Sequence, residues 1–447
     1  MKIRYVANAC FLITLSNGER LLTDPWFDGP CHQTWWNFPP PSEALKSEVW
    51  ASEPDFLYIS HLHHDHLHAP TLAPFDRATP VIIGAMNTPN LRNGLRHLGF
   101  ETLIETPFEA RTPLGQTGAE FLLFKDFHGN TRGDETEIHY DLDTSIYIFD
   151  ADGTRLFNAV DNTIQPLDGA RIAAEYGAPD VAMLPYVSAS LFPMAMRDYD
   201  DAAKRAATTA LRARTRRNFR DTFQALSPQR VIPAGGEYVL GGPAAGQSRF
   251  LPQPLAAELA AELEGIGAGA ALLKLYPGDE FDTDGGTVQC DARTAFRGFD
   301  DCEREAYALT LADQAPSYTT LSLPDELEFD WERALKRCAA NYAGRLRKMG
   351  VTLTLDFYID ARNDDGEPAL LFRQALDEGD CGIVSEVPQD ARPRLVYTLD
   401  LKLLFCLVTG LLSWNATEVS TLIGVSRAPD EYWHDFHRSI VHFNLLS

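Results

Sequence analysis

One segment of the chain reads Tyr58-Ile59-Ser60-His61-Leu62-His63-His64-Asp65-His66-Leu67-His68. Its first residues are typical of a buried β-strand, and five histidines and one aspartate follow within eight residues. Imidazole nitrogens and carboxylate oxygens bind divalent transition metals, and a tight turn at a strand end lets them converge on one point. A solvated histidine-rich loop is the alternative, and the apolar strand directly before the cluster argues against it. The segment therefore predicts a metal site at the end of a strand.

The spacing H-x-H-x-D-H resembles the signature of the metallo-β-lactamase fold and is carried here by His61, His63, Asp65 and His66. The resemblance implies an α/β chain folded as an αββα sandwich that holds two divalent metal ions. It also implies that His61 and His63 bind the first metal, whereas Asp65 and His66 face the second.

The same fold needs further ligands from distant strand ends. It requires a histidine after a later strand, and His128 ends an apolar run of that form. His139, which precedes the strand that starts at Thr144, is the alternative, and we favour His128 because it terminates the apolar run. The fold also needs a bridging carboxylate, and Asp161 follows another predicted strand. The alternative for Asp161 is an aspartate in a turn or at a helix cap.

Hydrolases of this fold usually carry a final histidine after a late strand, and here no histidine stands between His139 and His434. The corresponding segment reads Arg230-Val231-Ile232-Pro233-Ala234-Gly235-Gly236-Glu237-Tyr238. Either the second site has fewer ligands, or Glu237 enters it and acts there beside Asp65 as a catalytic group. An exposed loop position is the equally weighted alternative for Glu237.

A more specific resemblance runs through most of residues 1–290. The chain is similar to the CMP-N-acetylneuraminate hydroxylases in His61–Leu67, Pro70-Thr71-Leu72, Leu156–Thr163, Pro179–Leu184, Phe192-Pro193 and Pro233–Gly236. Those enzymes are oxygenases that receive electrons through a Rieske iron–sulfur domain. A Rieske centre needs C-x-H and C-x-x-H ligand pairs, and the sequence has neither. We therefore expect no iron–sulfur cluster in this chain, and an oxygenase would draw electrons from a separate donor protein or from its substrate. The sialic-acid nucleotide is not carried over as the substrate.

Two enzyme classes use this set of ligands, because a fold does not determine a reaction. We favour a dinuclear iron oxygenase that oxidises a small metabolite, with Asp161 bridging the two irons. The alternative is a zinc- or manganese-dependent hydrolase of an ester, lactam or phosphodiester, in which the metals activate water and Asp65 orients or deprotonates it. A binding protein with a structural metal is the weakest interpretation, because structural zinc sites are usually closed and four-coordinate.

The composition of the chain limits the classes of partner that it could bind. The 447 residues carry a formal net charge of −24, which argues against nucleic acid or an anionic membrane as a general partner. A small anionic substrate remains compatible, because a metal or a local cation can dominate a pocket. The seven cysteines are scattered without a C-x-x-C pair, which suits a reducing cytoplasm. No stretch of about 18 apolar residues occurs, so we expect no membrane span.

Two regions are predicted, a metal-binding catalytic domain over residues 1–290 and a smaller α+β region over residues 300–447. Long helices in the first are expected only at about Asp200–Ala225 and Pro254–Glu264. The second has a helix candidate at Asp330–Met349, a strand candidate at Val351–Ile359 and a helix candidate at Leu399–Leu412. This second region is expected either to close over the site or to form an oligomer contact.

The first long helix is basic within an acidic chain. Its cationic side chains are Lys204, Arg205, Arg212, Arg214, Arg216, Arg217 and Arg220. Arginine binds phosphate and carboxylate bidentately, so the helix could offer an anion clamp. We favour the alternative, a helix face that forms salt bridges with the surplus of Asp and Glu.

Five further side chains receive supporting or structural roles. Asp24 follows a strand and is expected to hold the histidine-rich loop by hydrogen bonds rather than to bind metal. His64 and His68 lie outside the H-x-H-x-D-H spacing and are expected to support the ligands or to contact solvent. His434 and His437 sit one helical turn apart without a nearby third ligand, and we interpret them as packing or surface residues.

Overall fold

The computed structural model describes residues 1–86, 88–116, 118–125, 143–187, 189–235, 237–322, 329–388 and 392–447. Its strands are β1 (Lys2–Ala7), β2 (Cys10–Thr14), β3 (Arg20–Thr23), β4 (Trp35–Asn37), β5 (Phe56–Tyr58), β6 (Val81–Gly84), β7 (Leu103–Thr106), β8 (Thr112–Leu114), β9 (Ala119–Lys125), β10 (Thr144–Phe149), β11 (Arg155–Asn158), β12 (Val181–Pro185), β13 (Arg230–Ala234), β14 (Tyr238–Leu240), β15 (Glu280–Asp282), β16 (Thr287–Gln289), β17 (Asp356–Arg362), β18 (Pro368–Ala375), β19 (Cys381–Ile383), β20 (Arg394–Asp400) and β21 (Gly424–Ala428).

Its helices are α1 (Glu43–Trp50), α2 (Ala69–Leu72), α3 (Asn90–His97), α4 (Pro166–Tyr176), α5 (Asp201–Leu226), α6 (Ala256–Glu264), α7 (Asp301–Thr310), α8 (Trp331–Lys348), α9 (Leu401–Thr409), α10 (Trp414–Val419) and α11 (His434–Ser439). Short 3-10 helices cover Gly242–Phe250, Gly269–Ala271, Ser317–Thr320 and Ile440–His442.

Two mixed sheets form the first region. One has the strand order β16-β15-β1-β2-β3-β5-β6-β7, and the other has the order β13-β12-β11-β10-β9-β8. The strands β3, β5, β6 and β7 are parallel, as are β11, β12 and β13. Parallel neighbours end at the same edge of a sheet, and their crossover connections carry helices on the outer faces. The loops that follow β3 and β5 therefore lie side by side, and the loops that follow β11, β12 and β13 emerge from one edge of the second sheet.

Three apolar layers hold these sheets and helices together. Between the sheets lies a core that includes Ile3, Phe11, Tyr58, Phe121, Ile146 and Met183. On the outer face of the first sheet, α1 and α3 bury Leu45, Val49, Leu91 and Leu95. On the outer face of the second sheet, α4, α5 and α6 bury Ile172, Phe219, Phe223 and Leu259. This is the αββα sandwich that the H-x-H-x-D-H resemblance implied.

A third sheet with its own core forms the end of the chain. Its strand order is β19-β18-β17-β20-β21, and its core includes Leu335, Phe357, Tyr397, Leu404, Trp414 and Phe443. Residue Met196 forms a β-bridge with Val425, and the Arg197 amide donates to the Val425 carbonyl, so this region is joined to the first. Helix α7 packs instead on the 3-10 helix Gly242–Phe250 of the first region.

Helix α11 carries the two histidines that the sequence placed one turn apart. Nδ1 of His437 lies 3.0 Å from a carboxylate oxygen of Glu418, both buried beside the core of the C-terminal sheet, and His434 is exposed. The prediction that they serve packing and surface roles is confirmed.

Several elements match their predicted bounds closely, and others do not. The strand β10 begins at Thr144, as predicted, and α5 differs from its prediction by one residue at each end. The expectation of only two long helices in the first region is wrong, because α4 adds eleven residues. A helix of three turns gains most of its stability from tertiary packing, here of Ile172, so its sequence signal is weak. The strand predicted at Val351–Ile359 begins only at Asp356. No helix among the described residues is long and apolar enough to cross a membrane.

Candidate metal centre

The histidine-rich segment follows β5 and is held by its neighbour β3. Asp24 comes directly after β3, and its Oδ1 accepts a hydrogen bond of 2.8 Å from the Ser60 amide. On the other side, the Thr144 hydroxyl donates to the Ser60 carbonyl at 2.7 Å, and Tyr58 Oη lies 2.8 Å from the same hydroxyl. All these groups are buried. The backbone from which the histidines project is thus fixed from both sheets.

One cluster of potential ligands is formed by His61, His63 and Asp143. Nε2 of His61 lies 2.8 Å from Nδ1 of His63 and 3.5 Å from a carboxylate oxygen of Asp143. The three ligand atoms lie within 4.8 Å of one another. His61 is buried, whereas His63 is exposed. Asp143 was not predicted from the sequence; its only signal was a carboxylate directly before the apolar strand β10.

A second cluster shares His61 with the first and adds His66 and Asp161. Nε2 of His66 lies 3.3 Å from a carboxylate oxygen of Asp161 and 3.3 Å from one of Asp65. This nitrogen is buried and makes no hydrogen bond with any described residue. An imidazole nitrogen that is buried between two carboxylates and lacks a hydrogen bond fits the position of a metal ligand. The donor atoms therefore fit a divalent metal here.

The carboxylates around the second cluster favour a bound cation. Burial lowers the pKa of His66, but the carboxylates of Asp161, Asp65 and Asp24 outweigh it and raise that pKa well above its usual value. For His61, burial together with the neighbouring His66 and His63 lowers the pKa well below its usual value. A neutral imidazole is the form that binds metal. Three carboxylates around one imidazole leave an excess of negative charge that bound metals would neutralise.

The backbone at this centre holds unusual conformations. Asp24, His32 and Val160 have φ angles of 36°, 43° and 54°, in the left-handed region. For a β-branched residue such as Val160 this conformation is an outlier. Its amide donates to Oδ1 of Asn158 at 3.0 Å, and the next residue is Asp161. Such strain costs about 1–3 kcal/mol per residue and persists where surrounding structure enforces it. Here the left-handed conformation of Val160 directs the next residue, Asp161, towards His66.

The family comparison agrees with this geometry. Residues 2–234, slightly more than half of the chain, match the beta-lactamase superfamily domain. The chain belongs to the metallo-β-lactamase superfamily. The residues of its H-x-H-x-D-H run belong to or adjoin the ligand clusters described above.

Curated relatives match only part of this metallo-β-lactamase chain. One relative is a Mycobacterium tuberculosis protein whose name describes it as a Rieske 2Fe-2S iron–sulfur protein. It is 30% identical over 243 residues, which are 53% of this chain and 44% of that protein. The cytidine monophosphate-N-acetylneuraminic acid hydroxylase of Mus musculus is 29% identical over 169 residues, which are 36% of this chain and 26% of that enzyme. The chain thus spans less than half of the length of these relatives.

Solved structures of the superfamily include both hydrolases and hydroxylases at similar distance. The isothiocyanate hydrolase from Delia radicum gut bacteria has a TM-score of 0.43 and 14% identity, and covers 63% of this chain and 99% of its own. CmlA, a diiron beta-hydroxylase from Streptomyces venezuelae, has a TM-score of 0.41 and 17% identity, and covers 65% of this chain and 54% of its own. At this level of similarity neither structure carries an argument about the reaction.

Asp24 supports the metallo-β-lactamase ligands, as the sequence predicted. While its Oδ1 binds the Ser60 amide, its Oδ2 lies 3.1 Å from Nδ1 of His66. The Ser60 hydroxyl lies 2.9 Å from Nδ1 of His61. Both histidines are therefore oriented through the ring nitrogen that faces away from the clusters.

Replacing Asp24 by asparagine is expected to weaken metal binding by about 10- to 100-fold. If the asparagine side-chain oxygen still accepts from the Ser60 backbone amide, the side-chain NH₂ group faces Nδ1 of His66, where an acceptor is needed. The measurement is a competition titration of the metal against a chromogenic chelator. Asp55→Asn is the matched control, since Asp55 is exposed at the opposite end of β5 and contacts the Arg20 amide. An unchanged affinity in Asp24→Asn would show that this carboxylate does not orient His66.

His32 is a site residue that the sequence analysis missed. Its Nε2 lies 3.1 Å from Oδ1 of Asp65, and its ring stacks on His64 with centroids 5.5 Å apart. Together with Cys31 and Asp65 it forms a third group of potential ligands. Burial raises the pKa of the Cys31 thiol well above its usual value, which disfavours the thiolate that binds metal. We interpret His32 as the group that orients Asp65, and its only sequence signal was a lone histidine before Trp35.

Two predicted ligands lie outside the described residues. They are His128 and His139, so the choice between them for the third histidine stays a prediction. Among the described residues, Asp143 is the additional group that the structure brings to His61 and His63.

Glu237 lies in different surroundings from those expected. It is buried, so the interpretation as an exposed loop residue is wrong. One carboxylate oxygen lies 2.7 Å from Nζ of Lys274, and no cluster of potential ligands among the described residues includes it. The Glu237 charge also raises the pKa of the buried Tyr186, second to burial itself. The structure therefore places Glu237 in a buried ion pair.

The C-terminal region covers the metal centre. A cavity of about 430 Å³ is lined on one side by residues of the histidine-rich segment and Asp161, and on the other by Ser413, Asn415, Ala416, Val419, Val441 and His442. The Thr34 hydroxyl donates to the Ser420 carbonyl at 2.7 Å, and the Trp35 indole donates to the Val419 carbonyl at 2.9 Å. The C-terminal region therefore forms one wall of this cavity, and its contribution to an oligomer contact stays a prediction.

Proposed function

We propose that this metalloenzyme is a dinuclear iron oxygenase that oxidises a small metabolite. The observation that carries the proposal is the pair of ligand clusters that share His61 and adjoin Asp65 and Asp161. Together, the two clusters and Asp65 offer enough donor atoms for two cations held close together. His61 and His63 with a third group would hold the first iron, Asp65 and His66 the second, and Asp161 would lie between them.

The end of β13 favours an oxygenase over a hydrolase. In the segment 230–238, where hydrolases of this fold usually place a histidine, Gly235 has a φ of 69°. A Cβ atom at Gly235 would lie 3.4 Å from Oδ1 of Asp161, so this position borders the second cluster without offering it a ligand. Fewer protein ligands leave more coordination positions for dioxygen and substrate.

The chain's own residues would position the ligands and exclude water. His32 orients Asp65, and Asp24 orients His66, at the distances given above. The C-terminal wall of the cavity is part apolar, with Ala416, Val419 and Val441, and shields the reacting groups from bulk solvent. Bound iron would supply the redox chemistry with dioxygen. Its electrons would come from a separate donor protein or from the substrate.

The names of two sequence relatives support an oxygenase. One is a hydroxylase, and another is named for a Rieske 2Fe-2S iron–sulfur protein. The chain covers 26% and 44% of these proteins, so their substrates and electron donors are not assigned to it.

The decisive experiment is the metal content of protein purified without chelators, combined with oxygen consumption. We expect about two irons per chain and an uptake of oxygen that depends on an added reductant. Protein stripped of metal and reloaded with iron should regain the uptake, whereas protein reloaded with zinc should not. Two zincs per chain with anaerobic turnover of an ester or phosphodiester would overturn the proposal in favour of a hydrolase.

A further inference from the structure

The basic helix α5 presents arginines on two opposite faces. Arg212, Arg216 and Arg220 are spaced four residues apart and pair with Asp301, Glu258 and Glu262 at 2.7, 2.7 and 2.8 Å. This ladder confirms the predicted salt-bridged face. Arg214 is displaced by two residues, which is about 200° around the helix axis at 3.6 residues per turn. It therefore points away from these carboxylates.

Arg214 lines a cavity that adjoins the metal centre. The cavity measures about 520 Å³, and its other walls include His63, Asp143 and Asp161. Along α5, the lining side chains are Arg214, Thr215, Asn218, Phe219 and Thr222, which occupy one face of the helix. Arg214 is exposed and forms no ion pair with any described residue. It is also the one Lys or Arg side chain among the described residues that line this cavity.

We propose that Arg214, with Thr215 and Asn218 beside it, binds an anionic group of the substrate, either a carboxylate or a phosphate. The inference rests on the proposed function, because it assigns a substrate class to the same metal centre. The guanidinium would bind two oxygens of the anion at once, and the neighbouring hydroxyl and amide can donate further hydrogen bonds. The reacting part of the molecule would then lie towards His63 and Asp161.

The negative charge of the chain and of the cavity explains why an anionic substrate would need a cationic side chain. The chain carries a net charge of −24, and Asp143 and Asp161 in the same cavity repel an anion. Metals at the two clusters would offset the nearby carboxylates, while the guanidinium would attract the distal end of the substrate.

The test is a calorimetric titration of the iron-loaded protein, under nitrogen, with inorganic phosphate and separately with glutarate. We expect Arg214→Ala to weaken binding of the preferred probe by about tenfold or more, since hydrogen bonds to charged groups are lost. Arg214→Lys should restore part of the affinity, because it keeps the charge and loses the bidentate fork. Tighter binding of phosphate identifies a phosphate site, and tighter binding of glutarate a carboxylate site.

Arg217→Ala is the matched control, since Arg217 is an exposed arginine of α5 that does not line the cavity. The proposal is overturned if wild type binds neither probe at millimolar concentration, or if Arg214→Ala and Arg217→Ala have the same affinity. Metal content is measured on each variant. Loss of anion binding with full metal content concerns the anion site alone, whereas wild type without bound metal contradicts the proposed function.

Discussion

Replacing His61 by alanine is expected to abolish binding of the first metal. Among the described residues, His61 is the side chain that belongs to both ligand clusters, and it is buried shortly after β5. Its loss leaves the first metal with His63 and one further group, below the three protein ligands typical of catalytic metal sites, whereas Asp65, His66 and Asp161 remain for the second metal. Metal content measured by mass spectrometry should fall from about two per chain to about one, and oxygen uptake should be lost with it.

His97→Ala is the control for this prediction, because His97 is an exposed histidine at the end of α3. It should retain the full metal content. A His61→Ala protein that keeps both metals tightly bound would show that the first site does not depend on this residue. The same measurement on His128→Ala, His139→Ala and Asp143→Ala identifies the third group of the first cluster, since only its loss should lower metal occupancy.

Replacing Lys274 by methionine is expected to destabilise the folded protein by about 3 kcal/mol. The side chains of Lys274 and Glu237 are 11% and 3% exposed, so removal of the ammonium leaves a buried carboxylate without its partner. Chemical denaturation followed by circular dichroism gives the free energy of unfolding. The double variant Lys274→Met with Glu237→Gln should recover most of the loss, because no buried charge is then left unpaired.

The same ion pair separates the two interpretations of Glu237. If its role is structural, Glu237→Gln should keep the wild-type metal content while it loses stability. Loss of metal in Glu237→Gln at unchanged stability would instead return this carboxylate to the second metal site. A Lys274→Met variant as stable as wild type would show that the pair contributes nothing to the fold.

Much of the fold could be predicted from local patterns. The strand β10 is a run of apolar residues that begins at the predicted Thr144, and the helix α5 has a helical composition and agrees with its predicted bounds within one residue. Helices α1, α3 and α4 were missed because each has only two or three turns. Such helices depend on contacts with a sheet that the local sequence does not display.

The candidate site divides in a similar way. His61, His63, Asp65 and His66 stand within six residues, so a single turn displays them all. Asp161 was found because it follows a recognisable strand. His32 and Asp143 were missed because each is an isolated side chain, and only the pairing of strands brings it to the histidines.

The sequence alone indicated the metal-binding turn and the ligand types, because these depend on the chemistry of residues a few positions apart, and the class of fold followed from the resemblance of the H-x-H-x-D-H spacing to a known signature. The tertiary structure decided that Glu237 pairs with Lys274, that Arg214 faces the cavity while Arg212 does not, and that residues 413–442 form the opposite wall of the site. These features join residues tens to hundreds of positions apart. Their proximity follows from sheet order, strand register and packing, which no local pattern records.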